Sequence, residues 1–224
     1  MELRRAVVNR ILKSILDILC KVDNREFYQT LSKCKPLLIV TNHINFLEVP
    51  IFVTHSYPMY LTGIVKLETW NNPLFAFLFN TYNAIPINRK GAFREAFQKA
   101  RVALDEGYFV AIAPEGVRSK NGALGRARAG IIELAIDADV PVLPVVHYGG
   151  EHIWENMRRF RRTKFNIKPG RPFRIKFEGR PDKETRGEML GEVMGQMAKL
   201  LPEEMRGMYA QHAEQECKHL EFLE

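Results

Sequence analysis

From residue 36 onwards, short apolar runs rich in β-branched residues alternate with segments that carry helical periodicity. The candidate strands are 36–41, 59–65, 83–88, 108–113, 140–147 and 172–178. The candidate helices are 50–57, 67–79, 91–106, 126–138, 183–200 and 202–222. This alternation is typical of an α/β fold with a mostly parallel or mixed central sheet flanked by helices. Because sites in such sheets form at the carboxyl ends of the strands, residues that follow a strand are the first candidates for function.

The length of 224 residues and the hydrophobic fraction of 46% fit one globular domain, which we place at 31–224 behind an N-terminal segment 1–30. The cysteines, Cys20, Cys34 and Cys217, are few and widely spaced. They form neither a disulfide framework nor a metal-binding pair, which fits a reducing compartment. A membrane-spanning helix needs roughly 20 mostly apolar residues, and the apolar runs here are much shorter. We therefore expect no spanning segment.

Residues 4–22 have the spacing of an amphipathic helix. Its apolar face carries Val7, Val8, Ile11, Leu12, Ile15, Leu16 and Leu19. Its basic residues fall on or beside the opposite face. Such a helix either packs on its own domain or lies in a membrane interface with its charged side toward the lipid head groups. The segment 1–30 is thus a candidate for membrane docking.

The net charge of +7 is concentrated between Asn156 and Phe177, where nine basic residues occur without an acid. A basic block of this kind fits an anionic partner, either nucleic acid or an anionic membrane surface. No nucleic-acid-binding motif accompanies it, so we expect the membrane surface and no nucleic acid. The alternative without a partner is a solvated, twisted hairpin with basic faces.

The stretch "TNHINFLEVP" places His43 five residues before Glu48, directly after a candidate strand. In one interpretation Asn45 caps a helix and Glu48 completes a capping box. In the other, Glu48 holds one imidazole nitrogen of His43 protonated, and the second nitrogen accepts a proton from an alcohol. The two interpretations are compatible, because a capped helix can present Glu48 in its first turn.

Two further candidate strands end in chemically useful residues. Arg89 and Lys90 follow "IPIN", where a guanidinium suits a phosphate. Pro114-Glu115-Gly116 and Arg118 follow "YFVAIA", where the glycine permits a close backbone approach to a ligand. The chain has no phosphate-binding glycine loop, zinc-hydrolase motif or serine-nucleophile elbow. The remaining histidines are read as structural or surface residues: His55, His147, His152, His212 and His219.

Four stretches in order resemble the motifs of the glycerolipid acyltransferase family, the 1-acylglycerol-3-phosphate acyltransferases and their relatives. They are "NHINFLE" at 42–48, "IPINR" at 85–89, "APEGVRS" at 113–119 and "VPVLPV" at 140–145. The chain departs from the family pattern at Glu48, where an aspartate is usual, and at Asn83, Asn88 and Val117. Glu48 is one methylene longer, so His43 or the start of the helix must sit slightly differently. The departures leave the acceptor open.

The resemblance implies acyl transfer without a metal or cofactor, from acyl-CoA or acyl carrier protein to a lysophospholipid hydroxyl. His43 would be the general base and Glu48 its orienting carboxylate. Arg89, Glu115, Gly116 and Arg118 would bind the acceptor, and backbone N–H groups would stabilise the oxyanion. The implied location is peripheral, on the cytoplasmic side of a membrane. Two alternatives stay open: a non-catalytic lipid-binding protein on the same fold, and an acyltransferase for another polar acceptor.

Overall fold

The computed structural model describes residues 2–88, 93–177 and 179–223. Nine strands form a single sheet within these ranges. They are β1 (Cys20–Asp23), β2 (Leu38–Thr41), β3 (Leu61–Lys66), β4 (Ile85–Ile87), β5 (Phe109–Ile112), β6 (Val142–Tyr148), β7 (Thr163–Pro169), β8 (Phe173–Ile175) and β9 (Leu220–Phe222). All six strands expected from the sequence are present, with somewhat different ends, and the expectation of an α/β fold is confirmed.

The α-helices of the described ranges are α1 (Glu2–Leu19), α2 (Arg25–Lys33), α3 (Glu48–His55), α4 (Pro73–Thr81), α5 (Phe93–Asp105), α6 (Gly130–Ala138), α7 (Ile153–Arg158) and α8 (Lys183–Leu200). The expected helix 67–79 is divided into a 3₁₀ turn, Leu67–Asn71, and α4. The division follows from Pro73 at the first turn of α4 and from Asn72, whose Oδ1 accepts the N–H of Leu74 at 3.0 Å.

The expected helix 202–222 is wrong. This segment contains three short 3₁₀ turns, Glu203–Met205, Gly207–Tyr209 and Gln211–Glu214, and then β9. Gly207 has a φ of +54°, and a Cβ added there would lie 2.2 Å from the carbonyl oxygen of Leu124. The backbone therefore makes a close contact that regular helix geometry does not provide.

The strand order is β1-β7-β6-β2-β5-β3-β4, with β8 pairing with β6 and β9. The five strands from β6 to β4 run parallel, whereas β7 and β8 are both antiparallel to β6. The sheet is therefore mixed. The twisted hairpin that is the alternative for the basic block is not formed, because β7 and β8 both pair with the same edge of β6 instead of with each other. At the point where the pairing of β6 passes from β7 to β8, the Gly170 N–H donates to the Pro144 oxygen at 2.7 Å.

Two hydrophobic cores lie on the two faces of the sheet. Alternate residues of β2 supply them: Leu38 and Val40 belong to one core and Ile39 to the other. Helices α5, α6 and α8 cover the first core, and α1, α2 and α3 cover the second. The central strands are thus buried on both faces, as near-continuous apolar runs predict.

Helix α1 buries two of its polar residues against the domain. Arg5 and Asn9 are buried; Arg5 donates from Nη2 to the Leu61 oxygen at 3.1 Å, and Asn9 Oδ1 accepts the hydroxyl of Tyr82 at 3.2 Å. The apolar face is split, because Val8, Leu12, Leu16 and Leu19 contact the core while a second row points outward. The outward row is Leu3, Val7, Ile11, Ile15 and Ile18.

Candidate active site

The candidate residues lie at the carboxyl ends of three neighbouring parallel strands. His43 follows β2, Glu115 follows β5 and His147 is near the end of β6. Because β2 pairs with both β5 and β6, these residues are brought to one edge of the sheet. This is the edge at which the sequence predicts a site.

His43 Nδ1 contacts Oε1 of Glu48 directly. The other oxygen of Glu48 accepts the N–H of Ile44 at 2.8 Å and the N–H of Asn45 at 3.1 Å. Helix α3 begins at Glu48, so the carboxylate of its first residue fixes the preceding loop through these hydrogen bonds. The N-cap residue is Leu47 and not the predicted Asn45. The carboxylate half of the predicted capping box is nevertheless formed, because Glu48 accepts the Asn45 N–H, and Asn45 Oδ1 accepts the Leu47 N–H at 2.8 Å.

The imidazole of His43 is open on its other side. Its side chain is 26% exposed, whereas that of Glu48 is 4% exposed. Within the described part of the chain, Nε2 of His43 has no hydrogen-bond partner. The histidine thus has one nitrogen held by a buried carboxylate and one nitrogen available to a ligand, which is the arrangement that a general base needs.

His147 is the residue that the sequence analysis missed. The sequence predicts a structural or surface histidine without a partner in the site. His147 is fully buried, and its Nε2 lies 3.0 Å from Oε2 of Glu48. The same nitrogen lies 2.9 Å from the carbonyl oxygen of Asn42. A histidine within the apolar run 140–147 was the available signal. Its significance depends on the pairing of β6 with β2, which one sequence does not reveal.

The carboxylate of Glu48 therefore lies between two histidines. Burial alone would raise the pKa of this carboxyl, but the attraction and hydrogen bond of His147, together with the contact with His43, lower it to about 2. Glu48 is consequently ionised throughout the neutral range. A permanent negative charge beside His43 stabilises the imidazolium that forms when His43 accepts a proton.

Glu115 supports the same loop from β5. Its two carboxylate oxygens accept the backbone N–H groups of His43 at 3.1 Å and Gly125 at 2.7 Å. Burial raises its pKa, against the lowering effect of these N–H donors. Glu115 therefore links the His43 loop to the 116–125 loop through hydrogen bonds. Its direct contact with an acceptor stays a prediction.

Gly116 occupies the turn after Glu115 with a φ of +67°, a conformation that glycine adopts without strain. Two residues beyond it, Arg118 is exposed and has no ion pair within the described ranges. Ser119 N–H donates to the His43 oxygen at 2.7 Å, so this loop is attached to the His43 loop. Arg89 lies outside the described residues, and its role stays a prediction.

Two features near the site were not expected. Phe46, in the His43 loop, stacks on Trp154 of α7 with ring centroids 5.2 Å apart, and both rings are exposed. The exposed Arg128 has its Nε 3.8 Å from the position of a Cβ on Gly116, which adds a cation beside that turn. In the described ranges, no group of three or more His, Cys, Asp or Glu side chains is arranged to hold a metal ion.

A family model described as Acyltransferase matches residues 21–148, more than half of the chain. A 1-acyl-sn-glycerol-3-phosphate acyltransferase from Pseudomonas aeruginosa is 30% identical over 121 residues, covering 53% of this chain and 46% of that protein. One from Cocos nucifera is 27% identical over 166 residues, covering 72% and 52%. An N-acylphosphatidylethanolamine synthase from Arabidopsis thaliana is 30% identical over 141 residues, covering 57% and 49%. The chain spans about half the length of these curated relatives.

The fold also resembles a solved structure, the 1-acyl-sn-glycerophosphate acyltransferase PlsC from Thermotoga maritima. The TM-score is 0.56 and the identity is 22%, with 83% of this chain and 77% of that chain covered. At this identity the likeness establishes the shared fold. The matched residues of the family model include the His43 loop, Glu115 and His147, that is, the whole edge of the sheet described above.

Proposed function

Since this chain belongs to the acyltransferase family, we propose that it transfers a fatty acyl group from a thioester donor to the hydroxyl of a lysophospholipid, with 1-acylglycerol-3-phosphate as the acceptor. The observation that supports this most is the His43 imidazole, held at Nδ1 by Glu48 and open at Nε2. Two of the relatives are named for this acceptor. The third is named an N-acylphosphatidylethanolamine synthase, so an acyltransferase for another polar acceptor is the alternative.

The reaction needs one proton transfer in each direction. Nε2 of His43 removes the proton of the acceptor hydroxyl, and the oxygen attacks the thioester carbonyl, forming the C–O bond of a tetrahedral oxyanion. Collapse of the oxyanion breaks the C–S bond, and the departing thiolate receives the proton from the His43 imidazolium. Glu48 remains ionised throughout, because its pKa is lowered to about 2. No covalent acyl-enzyme is required.

The acceptor phosphate needs cations near the open side of His43. Arg118 is the described candidate, because its loop is attached to His43 through Ser119, and Arg128 lies beside the same turn. A guanidinium can bond two phosphate oxygens at once, which fixes the acceptor as well as attracting it. Arg89 is proposed for the same role on the resemblance alone.

A membrane surface is the proposed location of both lipids. Among the residues that the structure describes, none of the helices combines the length and the apolar content of a membrane-spanning segment. The outward row of α1, including Ile11 and Ile18, offers aliphatic side chains to a lipid interface. Leu74, Phe75 and Phe77 of the neighbouring helix α4 are exposed as well.

The turn between α7 and β7 extends this surface. Phe160 is 100% exposed with a φ of +53°, and Arg158, Arg159, Arg161 and Arg162 flank it. Arg162 Nη2 donates to the Cys20 oxygen at 2.8 Å, so the turn adjoins the end of α1. An aromatic side chain among exposed arginines suits an anionic lipid surface, because apolar insertion and charge attraction then act together.

The catalytic proposal is tested by assaying the purified protein with 1-acylglycerol-3-phosphate and, in separate reactions, acyl-CoA or acyl carrier protein donors. We expect transfer by the parent and a fall in kcat of about 10²- to 10⁴-fold in His43→Ala, the usual contribution of a general base. His152→Ala, which removes an exposed histidine outside the site, is the matched control and should retain activity. A His43→Ala variant as active as the control would overturn the assignment.

The acceptor panel includes other lysophospholipids and phosphatidylethanolamine, so that activity with a different acceptor identifies the alternative. Binding to lipid without transfer to any acceptor would instead identify a non-catalytic lipid-binding protein. The surface itself is tested by sedimentation with phosphatidylglycerol vesicles at low salt. Ile11→Glu and Phe160→Glu should each weaken binding about tenfold or more, whereas Val102→Glu, at a half-exposed position on the opposite face, should not. Equal effects of all three would contradict this surface.

A further inference from the structure

We propose that His147 is a positioning residue for the transfer reaction: it holds the Glu48 carboxylate from the side opposite His43 and thereby fixes the base. This inference rests on the proposed function. The glutamate side chain has three rotatable bonds, so contact with His43 through Oε1 alone would leave its carboxylate free to turn. The second oxygen receives Nε2 of His147 at 3.0 Å in addition to two backbone N–H groups.

The contacts of His147 show which of its ring nitrogens is the donor. Nε2 faces two acceptors, Glu48 Oε2 and the Asn42 carbonyl oxygen, so this nitrogen must carry a hydrogen. Nδ1 is buried and has no hydrogen-bond partner within the described residues. A second N–H at that position would be buried without an acceptor, which is costly. The Nε2–H of His147 is therefore the donor that reaches Glu48.

The ring of His147 is fixed on every side. It stacks on Phe165 with centroids 5.1 Å apart and an angle of 11°, and it packs edge-on against Phe52 at 5.7 Å. Its backbone N–H and carbonyl both bond to the side chain of Asn42, each at 2.9 Å. The donor that reaches Glu48 thus belongs to a part of the sheet that cannot reorient without unpacking.

A fixed donor at this position has a specific effect on His43. It orders the carboxylate, so the charge of Glu48 stays directed at the imidazolium that His43 becomes during catalysis. It also sets the angle of Oε1, and through it the Nδ1–H tautomer that leaves Nε2 of His43 as the acceptor. His147 is fully buried and reaches the substrate only through these two residues.

The test compares His147→Phe, which keeps the ring volume and the stacking, with His147→Gln, whose amide N–H can replace the Nε2–H donor. We expect kcat to fall about ten- to a hundredfold in His147→Phe with KM for the acceptor unchanged, and to be largely restored in His147→Gln. The control is His55→Gln, which alters another buried histidine on α3 that bonds to Thr54 and Asp17. It should change stability without changing kcat.

Nitrogen-15 NMR of the histidine rings supplies a readout that does not depend on activity. In the parent we expect a hydrogen on Nε2 of His147 and the Nδ1–H tautomer for His43, and a mixed tautomer of His43 in His147→Phe. Parent spectra that show no hydrogen on Nε2 of His147 would overturn the proposal even if no variant folds. Unchanged kcat and an unchanged His43 tautomer in His147→Phe would also overturn it. If the parent protein transfers no acyl group, the proposed function is contradicted, and the NMR result alone then decides whether His147 positions Glu48.

Discussion

Asn42 and His147 exchange two hydrogen bonds across neighbouring strands: Asn42 Nδ2 donates to the His147 oxygen and His147 N–H donates to Asn42 Oδ1, both at 2.9 Å. The side-chain amide thus continues the pairing of β2 with β6 beyond the end of β2. Because Asn42 immediately precedes His43, this pair determines where the His43 loop leaves the sheet. The residue is 1% exposed, so no water can replace either bond.

Asn42→Asp should therefore destabilise the fold. Aspartate has nearly the same shape and can still accept the N–H of His147, but it cannot donate to the carbonyl oxygen, which would face a buried carboxylate. We expect a loss of about 1–3 kcal/mol in the free energy of unfolding, measured by urea denaturation. Asn121→Asp is the control, because the hydrogen bonds of the exposed Asn121 are accepted by its Oδ1, and aspartate can accept them equally well. Equal effects of the two substitutions would refute the role given to Asn42.

Gly116→Ala should cost about 1–2 kcal/mol, because the φ of +67° at this position is unfavourable for a residue with a Cβ. There is space for the added methyl group, since the nearest atom is Arg128 Nε at 3.8 Å, so the cost comes from the backbone. Gly187→Ala is the matched control: it lies in α8 with nothing within 4 Å and should be neutral or stabilising. Thermal unfolding of both variants measures the difference, and a neutral Gly116→Ala would contradict the strain argument.

Arg118→Ala should mainly weaken binding of an acceptor that carries a free phosphate. Loss of a charge-assisted hydrogen bond corresponds to a rise in KM of about ten- to a hundredfold. The exposed Lys120 of the same loop provides the control, because Lys120→Ala removes the same charge nearby. The measurement compares KM for 1-acylglycerol-3-phosphate with KM for a phosphate-free monoacylglycerol. A rise of equal size for both acceptors would exclude phosphate recognition by Arg118.

The lowered pKa of Glu48 predicts a pH-dependent contribution to stability. Its folded pKa of about 2 lies below the ordinary value of 4.5, so the contribution is fully present above pH 4.5 and is lost as the pH falls toward 2. The difference in the free energy of unfolding between the parent and Glu48→Gln should fall by about 2 kcal/mol when the pH is lowered from 6 to 3. Urea denaturation of both proteins at the two pH values measures this loss. A difference that stays constant or grows in acid would be incompatible with a buried ionised carboxylate.

The sequence predicted the sheet and the contact of His43 with Glu48, because both depend on local patterns: apolar strands, and two residues five positions apart. It did not reveal the part of the site that depends on strand order. His147 is 99 residues beyond Glu48, and only the pairing of β6 with β2 brings them together. The structure of 202–222 was not predicted for a related reason, because the backbone at Gly207 packs closely against the backbone of Leu124, which is far away in the sequence.

Periodicity also could not tell which side of α1 faces the domain. The helix has enough apolar residues for two rows, and Arg5 reads from the sequence as a solvent-facing cation. The deciding factor is the surface that α1 covers, where Tyr60, Tyr82 and Tyr108 surround the Arg5 guanidinium at 4.7–5.6 Å from their ring centroids. A buried arginine of this kind is visible only once its tertiary partners are known.

The two buried polar residues of α1 have a consequence for how the protein would sit at a lipid interface. A helix attached by a flexible linker lets its domain move freely above a bilayer, whereas α1 is fixed by Arg5 and Asn9 and continues directly into β1. On the proposed lipid surface the chain would therefore lie at one height and one tilt. The reach of His43 into the head-group layer would be set by the rigid body of the protein, and the depth of the acceptor hydroxyl would become a criterion for choosing the substrate.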